Sequence, residues 1–317
     1  MKKNIGIFTD FDGTLGKENI EDILFNYYFK NLKKAYPWME KPEDYWKRVE
    51  FWRYNPNKME EIKKGEFDKI EKSHDNSIHA KALGYMQAIL DDMNAGIFPP
   101  INNEMLRILG QQAYLFKGLP EFFNNLKSEF KGHANLIYVI DTQALEEMVI
   151  GSPVAPYVDS IHGSKYSEER INGKSKIKWI STPIEHDMKI SPAVKVSKGV
   201  DDIFLNVNNK VIEYRNMLFL GDSEGDIPVM EFFKSHKGYG IIICDPDDPA
   251  KKERTLKRLG HWTDKIYDAD YSVGSELYNE IAGRVEKMIY RNPVTRFFMD
   301  MYKLGPRSNS KKEKTIS

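Results

Sequence analysis

The chain is almost without cysteine. Cys244 is the single one in 317 residues, so no intramolecular disulfide can form. Its setting in Ile241-Ile242-Ile243-Cys244 reads as a small buried hydrophobe rather than a catalytic thiol. Net charge is missing as well. Forty-seven basic residues face 47 acidic ones, so no global field draws the protein to nucleic acid or to an anionic membrane. No basic stripe or nucleic-acid-binding motif stands out. No stretch reaches the ~20 apolar residues of a membrane span. The N-terminus has two lysines but no long apolar region of a secretory signal. The expectation is a cytoplasmic protein with neither nucleic acid nor membrane as a partner. Its oligomeric state stays open.

What is present is an ordinary globular composition, 41% hydrophobic and 30% charged, in a chain long enough for two domains. The most informative stretch lies at the start. Ile5-Gly6-Ile7-Phe8-Thr9 is an apolar run of strand length, and it ends in Asp10-Phe11-Asp12-Gly13-Thr14-Leu15. Alternation along an extended chain puts Asp10 and Asp12 on one side. Two adjacent carboxylates repel, and are tolerable around a divalent cation or with one of them protonated. In open α/β sheets, ligands bind at the carboxyl ends of the strands, which is where these acids fall.

From Glu18 to about Ala113 the pattern becomes helical, as in Ile20, Ile23, Leu24 and Tyr27, and again in Leu83, Met86, Ile89, Leu90 and Met93. Prolines divide this segment into several helices. Tyr36, Trp38, Tyr45, Trp46, Phe51, Trp52 and Tyr54 crowd together in it, as helix-bundle core or, for some rings, as the lining of a substrate cleft. His74 and His79 are spaced poorly for a shared helical face, so a metal role there is not expected.

The strand pattern returns at Leu136-Ile137-Tyr138-Val139-Ile140, followed by Asp141-Thr142-Gln143 and an expected helix from Ala144 to Val149. A short strand is expected within residues 158–166. A polar, lysine-rich stretch, 167–197, reads as a hairpin or an excursion. Met217-Leu218-Phe219-Leu220 is a further strand, closed by Gly221-Asp222-Ser223-Glu224-Gly225-Asp226-Ile227-Pro228. Tyr239 to Ile243 gives one more strand. Residues 275–304 read as helical, with Phe297, Phe298, Met301 and Tyr302 docking on the core or binding a partner. Residues 305–317 are Ser/Lys-rich and read as a disordered tail.

The D-F-D-G-T-L run and the G-D-S-x-x-D-I-P run resemble the first and fourth motifs of the haloacid-dehalogenase-like (HAD) hydrolase superfamily. The resemblance implies an α/β fold: a Rossmann-like core with a mainly parallel sheet, from 1–15 and 116–270. An α-helical cap, 16–115, is inserted after the first motif, and C-terminal helices, 271–304, pack on the core. It assigns the second motif to Thr142, although Asp141 departs from the family pattern and leaves the register open by one. It assigns the third motif to Lys198, with Lys195 and Lys189 as nearby competitors. By the same resemblance Asp10 is the nucleophile, Asp12 the acid and base, and Thr142 and Lys198 the phosphoryl-holding groups. Mg²⁺ is the cofactor, with Asp10, Asp12 (through its carbonyl) and Asp222 as ligands and Asp226 supporting them. No residue is assigned to an organic cofactor.

A carboxylate nucleophile, a hard cation and a lysine form a coherent set for phosphoryl transfer. The implied function is a Mg²⁺-dependent phosphomonoester hydrolase acting on a small phosphorylated metabolite. A phosphotransferase or mutase uses the same motifs. A catalytically weak binding protein is the reading from a different class, and Asp141 keeps it alive, because a carboxylate aimed at the phosphate would repel it.

Overall fold

The computed structural model describes residues 2–70, 81–259 and 265–291. The readings of His74 and His79, of Phe297 to Tyr302 and of the tail 305–317 lie outside the described residues.

The central strand is β1 (Lys3–Thr9), whose last five residues are all buried. It is covered on both faces, which is why it reads as an unbroken apolar run instead of an alternating one. Its parallel neighbours are β2 (Ala134–Leu145) and β5 (Met217–Gly221). Outward from β5 follow β6 (Tyr239–Cys244) and β7 (Ile266–Asp268), both parallel. Outward from β2 follow β3 (Ser160–Ile171), parallel, and β4 (Lys174–Thr182), antiparallel. Among the described residues this is one sheet of order β4-β3-β2-β1-β5-β6-β7.

The lysine-rich stretch is thus largely a hairpin. Asn172 and Gly173, both with positive φ, supply the tight turn that matches strand twist. Strand β2 runs through Asp141-Thr142-Gln143 to Leu145, further than its apolar run suggests, so the next helix, α8, starts at Glu146 and ends at Gly151.

Between β1 and Gly110 the described residues form the helices α1 (Glu21–Tyr27), α2 (Phe29–Ala35), α3 (Tyr45–Tyr54), α4 (Met59–Lys64), α5 (Lys81–Asn94) and α6 (Asn103–Gly110). The aromatic crowd is mostly core: Tyr36 and Tyr45 are fully buried, in the same apolar cluster as Ile5 and Tyr138 of the sheet. Two glycines bring α6 and α8 into backbone contact. A Cβ on Gly110 would lie 1.9 Å from the Met148 carbonyl oxygen, and one on Gly151 would lie 2.0 Å from that of Arg107. The other face of the sheet packs Phe8, Val139 and Phe219 against Ala193 and Phe233. Those partners belong to α9 (Ile190–Lys198) and α10 (Ile227–Ser235). Helices α7 (Glu121–Glu129), α11 (Pro249–Leu259) and α12 (Glu276–Ile289) complete the described chain.

Candidate active site

Register alone brings the acids together. Thr9 pairs with Ile140 on one side and Leu220 on the other, so Asp10, Asp141 and Gly221 stand level at the carboxyl edge of three adjacent strands. The Asp10 N–H continues the ladder to the Leu220 carbonyl at 2.9 Å. Asp10 Oδ1 accepts from the Phe11 N–H at 2.7 Å, and Oδ2 lies 3.0 Å from Lys189 Nζ. The chain then turns at Gly13, which has φ +70°. A Cβ there would sit 2.2 Å from Asp222 Oδ2, so the two acidic loops interlock. Asp226 follows in the turn before α10. Its Oδ2 accepts from the Ser223 N–H and hydroxyl, each at 3.3 Å, and its Oδ1 takes Lys189 Nζ at 2.7 Å.

Asp10, Asp222 and Asp226 are buried, and one oxygen from each lies within 4.8 Å of the others. Such an all-oxygen set suits a hard divalent cation. Two lysines offset part of the charge. Lys189, 1% exposed, bridges Asp10 and Asp226, and Lys251 of α11 reaches Asp222 Oδ2 at 2.7 Å. Burial opposes the Lys189 ammonium, but Asp10 and Asp226, with Asp141 behind them, hold its pKa above the ordinary lysine value. Burial lifts Asp226 to about 7 against the pull of Lys189. Asp222 is lifted by burial too, and Lys251 resists the shift.

Asp12 has a different setting. Its Oδ1 accepts from the Ile20 N–H at 2.9 Å. Burial, then Glu21 and Asp10, raise its pKa well above the usual carboxylate range, and it lines the cavity. Asp141 is fully buried, and neither of its oxygens has a hydrogen-bond partner. Burial raises its pKa well above normal, against the pull of Lys189.

A cavity of about 470 Å³ joins these groups. Asp10, Asp12, Thr142, Gln143, Asp222 and Lys251 line it, and so do Glu21, Asp22, Trp46, Lys81 and Tyr85 from the helical segment. The Thr142 hydroxyl accepts from the Ala144 N–H at 3.2 Å and faces this space. Asp141 is not in the lining.

The lysine assignment needs correction. Lys198 ends α9, and its ammonium donates to the carbonyls of Ile203 at 2.5 Å and Leu205 at 2.8 Å. Lys189, at the other end of the same helix, meets the acids instead. Nine residues of helix span roughly 13 Å, so only one end can reach the strand edge. The sequence ranks these lysines poorly because the deciding fact is which helix end abuts the acids.

Lys251 and Glu21 carry no motif, and Trp46 is one ring of the aromatic crowd that does line the cavity. Glu21 Oε1 accepts from the Leu145 N–H at 2.8 Å, tying α1 to the end of β2, and burial pushes its carboxyl up to about 7. The Trp46 indole N–H donates to Asp22 Oδ1 at 2.7 Å. Only tertiary placement distinguishes these residues from the many other charged and aromatic ones.

No family model and no curated relative matches the chain. Solved structures similar to it include a phospho-aspartyl intermediate analogue of phosphoserine phosphatase. That match has 12% identity and a TM-score of 0.44, covering 88% of this chain and 98% of the other. Cytosolic 5'-nucleotidase IIIB bound to cytidine matches at 14% identity and TM-score 0.47, over 90% and 87%. A predicted phosphatase from Clostridium acetobutylicum matches at 14% and 0.43, over 90% and 100%. The likeness is distant in each case.

Proposed function

We propose that the protein is a Mg²⁺-dependent phosphomonoester hydrolase of the HAD type. The observation that carries this reading is the meeting of Asp10, Asp12 and Asp222 on one cavity at the carboxyl edge of the sheet, with Lys189 and Asp226 buried directly behind Asp10. Asp10 Oδ2 attacks phosphorus, and the bond from phosphorus to the leaving oxygen breaks. Asp12, whose surroundings favour its protonated form, delivers its proton to that oxygen. The aspartyl-phosphate so formed is hydrolysed when ionised Asp12 takes a proton from the attacking water. Phosphate then leaves and Asp10 is restored. The Thr142 hydroxyl donates to a phosphoryl oxygen, and Lys189 balances charge beside the nucleophile.

Asp10, Asp222 and Asp226 would hold the Mg²⁺, with the Asp12 carbonyl as a further donor. The ion would offset repulsion between the carboxylate and the phosphate dianion. Asp141 is no obstacle to this reading, because it is outside the cavity lining and burial disfavours its charged form. The helices from Glu21 to Gly110 would act as a cap that supplies the outer wall and selects the leaving group.

The test is hydrolysis of p-nitrophenyl phosphate by purified protein, with Mg²⁺ or with EDTA, beside Asp10→Asn. Mg²⁺-dependent turnover that vanishes in the variant supports the proposal. Equal turnover in wild type and Asp10→Asn would remove the nucleophile assignment.

A further inference from the structure

A second cavity opens from the first on the helical side. It has a volume of about 280 Å³, and its walls are Asn19, Trp46, Val49, Glu50, Arg53 and Lys81. Asn19, Trp46 and Lys81 also line the catalytic cavity, so the two spaces meet at these residues. We infer that this is a leaving-group subsite, and that the substrate is a phosphomonoester whose alcohol carries a flat ring held against Trp46. The inference rests on the phosphatase reading above and narrows it to a substrate class.

Three features point to a ring. The first is rigidity. Trp46 is fixed by its 2.7 Å hydrogen bond to Asp22 and by edge contacts with Phe25 and Tyr85, at ring separations of 5.4 and 5.9 Å. A pinned indole is a platform that loses little freedom when a ring stacks on it.

The second is wall chemistry. Val49 and the stems of Arg53 and Lys81 are apolar, and a guanidinium can lie over a ring face. Among the described residues, two cations stand against one carboxylate in this wall, which disfavours a cationic ligand. Arg53 lies across Gly84 of α5, where a Cβ would come 2.6 Å from its Cγ. The glycine therefore makes room for the arginine stem along this wall.

The third is size. About 150 Å³ is enough for a benzene ring, so the space takes one ring with room for a substituent. A leaving group as small as a short alkyl alcohol would leave it unfilled.

The experiment compares phenylalkyl phosphates of two to four methylenes with n-propyl phosphate. All of these release a primary alkoxide, so intrinsic reactivity is matched. The expected result is a kcat/KM roughly tenfold or more higher for the best phenylalkyl ester. Trp46→Ala, which removes the platform, and Glu50→Trp, which fills the space from its rim, should each bring that ratio towards one. Should a variant not fold, inhibition of the wild type by 3-phenylpropan-1-ol against propan-1-ol reads the same preference.

Equal kcat/KM for both ester types in the wild type overturns the subsite and leaves the phosphatase reading standing. So does a preference that survives both variants. No hydrolysis of any of these esters or of p-nitrophenyl phosphate overturns both.

Discussion

Among the described residues, one buried ionic cluster lies in the helical segment and another at the sheet edge. In the first, Asp92 Oδ1 takes Arg48 at 2.9 Å and the Tyr36 hydroxyl at 2.7 Å, and Oδ2 takes the Tyr45 hydroxyl at 2.6 Å. One cation meets one carboxylate, each at most 1% exposed. In the second, Asp10, Asp222 and Asp226 share Lys189 and Lys251, and a cavity adjoins them. The ingredients are alike, but the first cluster is neutral and closed whereas the second keeps surplus negative charge beside open space. Closure makes a fastening. Imbalance next to a cavity makes a place where a cation and an anionic substrate can settle together.

Breaking each cluster should therefore give different losses. Asp10→Asn should reduce turnover on the order of 10⁴-fold or more, with far-UV circular dichroism and Tm close to wild type. Arg48→Met should do the reverse. An uncompensated Asp92 inside the helical segment costs about 3–5 kcal/mol, read as a fall in the denaturation midpoint, while the protein that remains folded keeps its KM for p-nitrophenyl phosphate.

Lys189→Met against Lys198→Met sharpens the assignment within one helix. The first should lower kcat by about 10²–10³-fold. The second should leave kcat unchanged, since its ammonium only holds two loop carbonyls.

The smallest effect concerns Glu21, which ties the two regions together. Its carboxyl is lifted from the ordinary 4.5 to about 7, chiefly by burial. An acid with a raised folded-state pKa binds more protons folded than unfolded across that window, so stability falls as pH rises from about 4.5 to 7. Glu21→Gln keeps an acceptor for the Leu145 N–H and should flatten that slope. The variant should match wild type near pH 4 and exceed it near pH 8 by about 3 kcal/mol at most, as urea titrations at the two pH values would read.

The acids were legible in the sequence because each closes an apolar run, and an apolar run covered on both faces can only be an inner strand. The helical segment was legible from spacing alone. Thr142, marked in the sequence despite its neighbour, lines the cavity. Asp141 looked anomalous because a residue letter does not reveal that the side chain is buried away from that cavity. The lysine was misplaced because helix direction, not local pattern, selects Lys189. Lys251, Trp46 and Glu21 reach the site from three separate helical stretches, and no periodicity connects them to it. The extension of β2 was equally hidden, since Asp141-Thr142-Gln143 has a turn-like composition and is held extended by its neighbours in the sheet.

The central place of β1 has a consequence for how the protein is made. The strand that ends in Asp10 is synthesised before both of its sheet partners, which begin at Ala134 and Met217. At translation rates of ~20 residues per second, its second partner leaves the ribosome on the order of ten seconds later. Until then β1 can pair only with β2, while the helices from Glu21 onward already have local partners. The carboxylate cluster is thus completed late, and a nascent chain cut before Met217 carries Asp10 without Asp222, Asp226 and Lys251.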